Sequence, residues 1–164
     1  MLKERDGRYY LVIKDARLMF KNFEGREKGK NRAGDRNFCV VINDPEEAQQ
    51  LAADGWNVKT LGPRDGEEEE VHFIQVKLKY GSGRPPKITI RTKNNEIYYD
   101  EETVKNLDNA DLADIKIVIN PYHWEVNGKK GIKAYLNSLS ATLIDDDFFF
   151  EDDDGDAGVP FDID

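Results

Sequence analysis

The chain has 164 residues, of which 38% are hydrophobic and 35% charged, with a formal net charge of −9. That length supports one domain plus a tail rather than two ordinary domains, and so much charge requires part of the chain to be solvated instead of packed. Cys39 is the single cysteine, which excludes an internal disulfide and a thiolate metal site; no apolar run approaches the ~20 residues of a membrane span, and the first residues lack the apolar stretch of a signal peptide.

The charge is unevenly spread. Of the 33 acids, 10 fall in residues 145–164, where there is no Lys or Arg, and the other 23 stand against all 24 basic residues in 1–144. The body is therefore about neutral and the tail holds the whole excess, so local patches and not the total decide what the body binds.

Residues 8–23, rich in Tyr, Val, Ile, Leu and Phe, read as one bent strand or two. Residues 24–35, with Gly25, Gly29 and Gly34 among charges, read as a mobile loop. Residues 37–42 form a short apolar run suited to a buried strand, with Cys39 buried between Phe38 and Val40. Asp44, Pro45, Glu46 and Glu47 supply an N-cap, a proline at the first helical position and acids in the first turn, and Gly55 supplies the stop. Strands follow at 56–61 and 71–80, separated by a charged, solvated loop that includes four consecutive glutamates. In the second of these, Val71, Phe73, Gln75, Lys77 and Lys79 alternate with His72, Ile74, Val76, Leu78 and Tyr80.

A further strand is expected at 87–92 and a weak helix from Asp100 to about Leu107, with Tyr98 and Tyr99 packing beside it and base stacking as their alternative role. Residues 115–126 and 132–144 form the last pair, joined through Asn127-Gly128, a strong hairpin signal. After Ile144 the composition turns Asp-rich, with too little apolar area to offset chain entropy. The fold class that results is mainly β: an OB-like, mostly antiparallel barrel over residues 1–144 with two short inserted helices, then a disordered acidic tail over 145–164.

Three features point to function. Lys21, Arg26, Lys28, Lys30, Arg32 and Arg36 crowd the loop after the first strand, flanked by Phe23 and Phe38. Single-stranded nucleic acid needs this mixture, cations along phosphates and aromatic planes against unstacked bases. A merely solvated loop is the competing reading. In the last hairpin, a turn with an even number of residues puts Tyr122, Trp124, Lys133 and Tyr135 on one face, with Lys129 and Lys130 at the turn and Ile132, Ala134 and Leu136 opposite. A second small core is the alternative there. Lys77, Lys79 and Tyr80 add to this set, and Lys59, Arg84, Arg91 and Lys93 are weaker additions.

The tail is the third feature. Phe148, Phe149 and Phe150, then Pro160 and Phe161, are framed by carboxylates, as in a peptide that docks into a basic-rimmed apolar pocket of a partner. The same charge can occupy the chain's own cationic groove. Catalysis is poorly supported: His72 and His123 sit in no spaced motif, there is no phosphate loop, nucleophile elbow or zinc signature, and the clustered aspartates that a metal-dependent nuclease would use lie mostly in the tail, without a rigid support. No metal or cofactor is expected.

The basic first loop, the strand Gly55-Trp56-Asn57-Val58-Lys59 after a short helix, and the closing strand Gly131-Ile132-Lys133-Ala134-Tyr135-Leu136 resemble phage-encoded single-stranded DNA-binding proteins. The Asp-rich tail with Pro160-Phe161 is similar to tails of bacterial and phage members, although here Asp162-Ile163-Asp164 follow the pair. The resemblance implies a non-enzymatic protein that coats single-stranded DNA with little sequence preference during replication, recombination or repair. It also implies the cytoplasm of an infected bacterial host, and partner proteins recruited by the tail; a homodimer is left open. Two other classes stand beside it, an acidic interaction protein or DNA mimic that binds basic proteins, and a virion assembly protein. The near-neutral body and the localised basic loop favour DNA.

Overall fold

The computed structural model describes residues 2–5, 8–63, 69–81 and 83–144. The expectations for the tail, Phe148, Phe149, Phe150, Pro160 and Phe161 among them, lie outside the described residues.

Ten strands are described: β1 (Leu2–Arg5), β2 (Arg8–Ile13), β3 (Leu18–Asn22), β4 (Arg36–Ile42), β5 (Val58–Leu61), β6 (Val71–Leu78), β7 (Lys87–Arg91), β8 (Glu96–Tyr99), β9 (Asp111–Val126) and β10 (Lys129–Ile144). They form one sheet along the path β1-β2-β9-β10-β6-β4-β3, with β5 beside β6 and the β7–β8 hairpin beside β10. The two contacts of β10 with β6 and β7 are parallel; the other pairings are antiparallel.

The expected bent first strand is two strands. Asp15 takes a positive φ of 50° between β2 and β3, so β2 pairs with β9 while β3 pairs with β4. One continuous run thus supplies strands towards both ends of the sheet path, and Ala16 N–H donates to the Ile115 carbonyl at 2.9 Å where it crosses. The hydrogen-bonded ladder does not close into a full ring among the described residues, so the architecture is an open, OB-like barrel.

The core follows from strand alternation. Phe38, Val40 and Ile42 of β4, Ile74, Val76 and Leu78 of β6, Ile115, Ile117 and Ile119 of β9, and Ile132, Ala134, Leu136 and Leu139 of β10 all point inward. Their intervening neighbours form the outer face. Helix α1 (Pro45–Asp54) covers one end through Ala48 and Leu51; Asp44 Oδ1 accepts from Glu46 N–H, and Gly55 ends it at φ 110°. The second helix is a 3₁₀ segment, Val104–Asn109, that buries Val104 and Leu107. It is shorter and tighter than a full α-helix. Its preceding strand β8 was not expected: Tyr98 and Tyr99 lie on that strand, Tyr98 exposed and Tyr99 against the core.

The β9–β10 hairpin is the longest element pair, 16 residues in each strand. Asn127 (φ 52°) and Gly128 (φ 79°) make a two-residue turn with Val126 paired to Lys129. Two positive φ values in sequence define the type I′ geometry that suits the strand twist. Register shifts at Leu136/Ser138 and Ser140/Thr142 bend β10, so its first half reaches β6 and its second half β7. That bend places the aromatic end of the hairpin beside β6.

Candidate nucleic-acid interface

The even turn fixes which residues share a face. Tyr122 lies opposite Lys133, Trp124 opposite Gly131, and Asn120 opposite Tyr135, all on the outer side, while Ile132, Ala134 and Leu136 are buried on the other. Tyr135 is paired in turn with Lys77 of β6, and Lys77 with Asn37 of β4. One row therefore crosses four strands: Asn120, Tyr135, Lys77, Asn37.

Aromatic contacts organise this row. Tyr122 and Tyr135 meet edge to face with centroids 6.0 Å apart, and the Lys79 ammonium lies 6.0 Å from the Tyr135 ring. Tyr122 remains 56% exposed. Trp124 is half-buried and lies flat over Gly131, the one position on the paired strand without a side chain to lift it. The row displays π-faces and cations together.

Two clefts flank it. One of about 570 Å³ is walled by Trp124, Lys130, Lys133, Gln75, Lys77 and Asn57. The other, about 390 Å³, is lined by Lys30, Arg36, Asn37, Lys59, Lys79 and Tyr135, with Asp35 as its acid. Gln75 and Lys77 border both clefts, so the two adjoin each other along a groove that crosses β10, β6 and β4.

The basic loop does not behave as a unit. Lys21 Nζ donates to the carbonyls of Leu107 (3.1 Å) and Ala110 (2.9 Å), satisfying the end of the 3₁₀ helix. Arg36 donates to the carbonyls of Phe23 and Glu101 and covers the Tyr80 ring at 5.5 Å. Arg26 lies 3.8 Å from Glu24 and 3.9 Å from Asp108. Lys28 and Lys30 project outward, as does Arg32, which is 3.9 Å from Asp35.

Two expected stacking residues are corrected. Phe23 and Phe38 are fully buried, stacked on each other at 5.3 Å in the core, and offer no ring face to a ligand. The sequence placed them beside cations, but Phe38 takes an inward position of β4 and Phe23, just past the end of β3, turns into the core against it. Tyr80 is half-buried against the core; burial raises its phenol pKa, which Arg36 opposes.

The loop itself is tied down at its base, in contrast to the mobile loop expected. Buried Asn22 accepts from Arg26 N–H and donates to the Arg26 and Asp35 carbonyls, Gly34 N–H donates to Gly25, and Lys28 and Asn31 exchange backbone bonds. These anchors hold Lys30 at the groove.

Lys129 and Lys130 follow the turn at the start of β10, both exposed. Arg91 is directed elsewhere, to Thr142 Oγ1 on the far half of β10. Sequence reading undervalued Lys59 and overlooked Gln75, Asn57 and Asn37. Gln75 shares the outward parity of Phe73, Lys77 and Lys79, a signal that was available. Asn57 and Asn37 enter only through the tertiary arrangement. Among the described residues no group of His, Cys, Asp and Glu is placed to hold a metal ion, and no helix is long and apolar enough to cross a membrane.

An OB-like open barrel with an aromatic and cationic groove across its outer sheet face belongs, by architecture, with the oligonucleotide-binding modules. Residues 3–160 match the family model described as a putative phage ssDNA-binding domain, and the chain belongs to that family. Solved structures to which the chain is similar include the single-stranded DNA-binding protein from bacteriophage Enc34, at 13% identity and TM-score 0.49, covering 88% of this chain and 91% of that one. The same phage protein in complex with ssDNA gives 15% identity and TM-score 0.48, covering 84% and 89%. No curated protein matches the chain.

Proposed function

We propose that this protein binds single-stranded DNA along the groove that crosses β10, β6 and β4, as a coating protein and not as an enzyme. The observation that carries this reading is the row of Trp124, Tyr122, Tyr135, Lys133, Lys77 and Lys79 on one outer face. Bases stack on the rings, and phosphates run past Lys30, Lys59, Lys77, Lys130 and Lys133. Because every base has a π-face and every nucleotide a phosphate, such a groove takes any sequence.

Membership of a phage family supports a role in phage DNA replication, recombination or repair inside the infected host cell. Residues 1–144 act as the binding domain. Residues 145–164, which hold 10 acids and no Lys or Arg, act as a tail that recruits partner proteins and competes with DNA for the groove.

Titration of intrinsic Trp fluorescence with oligo(dT), at low and moderate salt, tests the reading. Saturable quenching that weakens with salt is expected, and tighter binding by a chain ending at Ile144. Absence of quenching and of any mobility shift for both chains would remove the DNA-binding assignment.

A further inference from the structure

Four non-glycine residues among those described have positive φ: Asp15, Asp114, Asn127 and Phe20. Three are the residue types that tolerate the left-handed region. Phe20, at φ 51°, is not, and a bulky side chain is held there only when its surroundings demand it. The cause is a bulge in β3. Met19 pairs with Cys39 and Asn22 with Asn37, so Phe20 and Lys21 together face the single residue Phe38. The bulge parts their side chains. Lys21 turns to the Leu107 and Ala110 carbonyls, and Phe20 emerges 56% exposed.

Phe20 does not float free. Its ring meets Phe73 edge to face at 5.9 Å. Phe73 lies on the outward parity of β6, buried, and pairs in register with Val41 on one side and Lys59 on the other. Lys59 lines the smaller cleft of the groove. Phe73 is four residues from Lys77 on the same strand face, ~13 Å at the usual strand rise. Through Lys59 the aromatic pair adjoins the smaller cleft, on the β4–β3 side of the sheet.

Resting on the DNA-binding reading above, we propose that Phe20 is a second stacking platform, which takes a base of the same single strand after it leaves the Tyr135–Lys77 row, with Lys59 on the adjoining phosphate. A ring propped by Phe73 and exposed on its free side has the geometry that base stacking requires. The platform lengthens the footprint without altering the central groove.

The test uses the full chain and oligo(dT) of increasing length, with Phe20→Asn and Phe20→Leu compared with the native protein. Asn suits the left-handed backbone, so Phe20→Asn keeps or raises the unfolding temperature; Phe20→Leu keeps an apolar cover over Phe73 without a ring. Both variants should bind the shortest oligonucleotides like the native chain and lose roughly tenfold in affinity on longer ones, one base stack's share. Native-like binding of long strands by either variant, Leu in particular, would overturn the platform. So would an equal loss at every length, which marks a structural role. Failure of the native chain to bind at any length would instead overturn the DNA-binding reading, and this one with it.

Discussion

A Cβ atom on Gly131 would stand 2.9 Å from Cζ2 of the Trp124 indole, closer than real Cβ contacts come. The indole therefore lies against bare backbone across the hairpin, held flat as a wall of the larger cleft. Gly131 has no positive φ to explain it, so the contact itself is the reason for glycine here.

Gly131→Ala should tilt the indole out of the cleft wall. Affinity for oligo(dT) is expected to fall by an amount within the ~1–3 kcal/mol of a base stack, with an altered Trp emission spectrum and a nearly unchanged unfolding midpoint. Fluorescence titration checks it, and an unaltered affinity would show that Trp124 does not stack.

Aromatic residues that looked alike in the sequence should separate cleanly. Phe23→Ala removes a fully buried ring stacked on Phe38 and should lose about 3–5 kcal/mol of stability by urea unfolding. Tyr122→Ala, at an exposed ring, should stay within about 0.5 kcal/mol in stability and lose DNA affinity instead.

The lysines should divide the same way. Lys77→Ala or Lys133→Ala is expected to lower the slope of log K against log salt by about 0.7 for the phosphate no longer neutralised. Lys21→Met should leave that slope alone and reduce stability by roughly 1–3 kcal/mol, because two carbonyls at the 3₁₀ helix end lose a charged donor. A reduced salt slope for Lys21→Met would place that residue on the DNA after all.

Burial pushes the Cys39 thiol from its ordinary 9.0 up to about 11, with Lys59 opposing the shift, and burial raises Tyr80 as well. In the unfolded chain the thiol loses its proton first, so its contribution to stability is whole below pH 9 and is lost as pH rises towards 11. Urea unfolding of the native chain and Cys39→Ala at pH 7, 9 and 11 should show the difference between them shifting in favour of Cys39→Ala at high pH. A thiol reagent at pH 8 should react slowly until the protein is unfolded.

Strand alternation made much of this molecule legible in advance. The inward set on β6 and β10, the capped helix α1, the Asn127-Gly128 turn and the shared face of Tyr122, Trp124, Lys133 and Tyr135 all follow from short-range rules. Strand β8 escaped, since Glu96-Ile97-Tyr98-Tyr99 carries no alternation of burial and is exposed over three of its four residues.

What the amino-acid sequence determined by itself was the kind of each element, the parity of its faces and the segregation of acid into the last twenty residues, because these depend on neighbours two to four positions apart or on composition alone. The tertiary structure alone decided which cations are free to meet a phosphate. Lys21 is spent on carbonyls 86 and 89 residues away, Arg36 on one 65 residues away, while Lys59, Lys77 and Lys133 come together from three strands. A charge is used by whatever the folded chain brings within ~3 Å of it, and that distance is set by the path of the backbone.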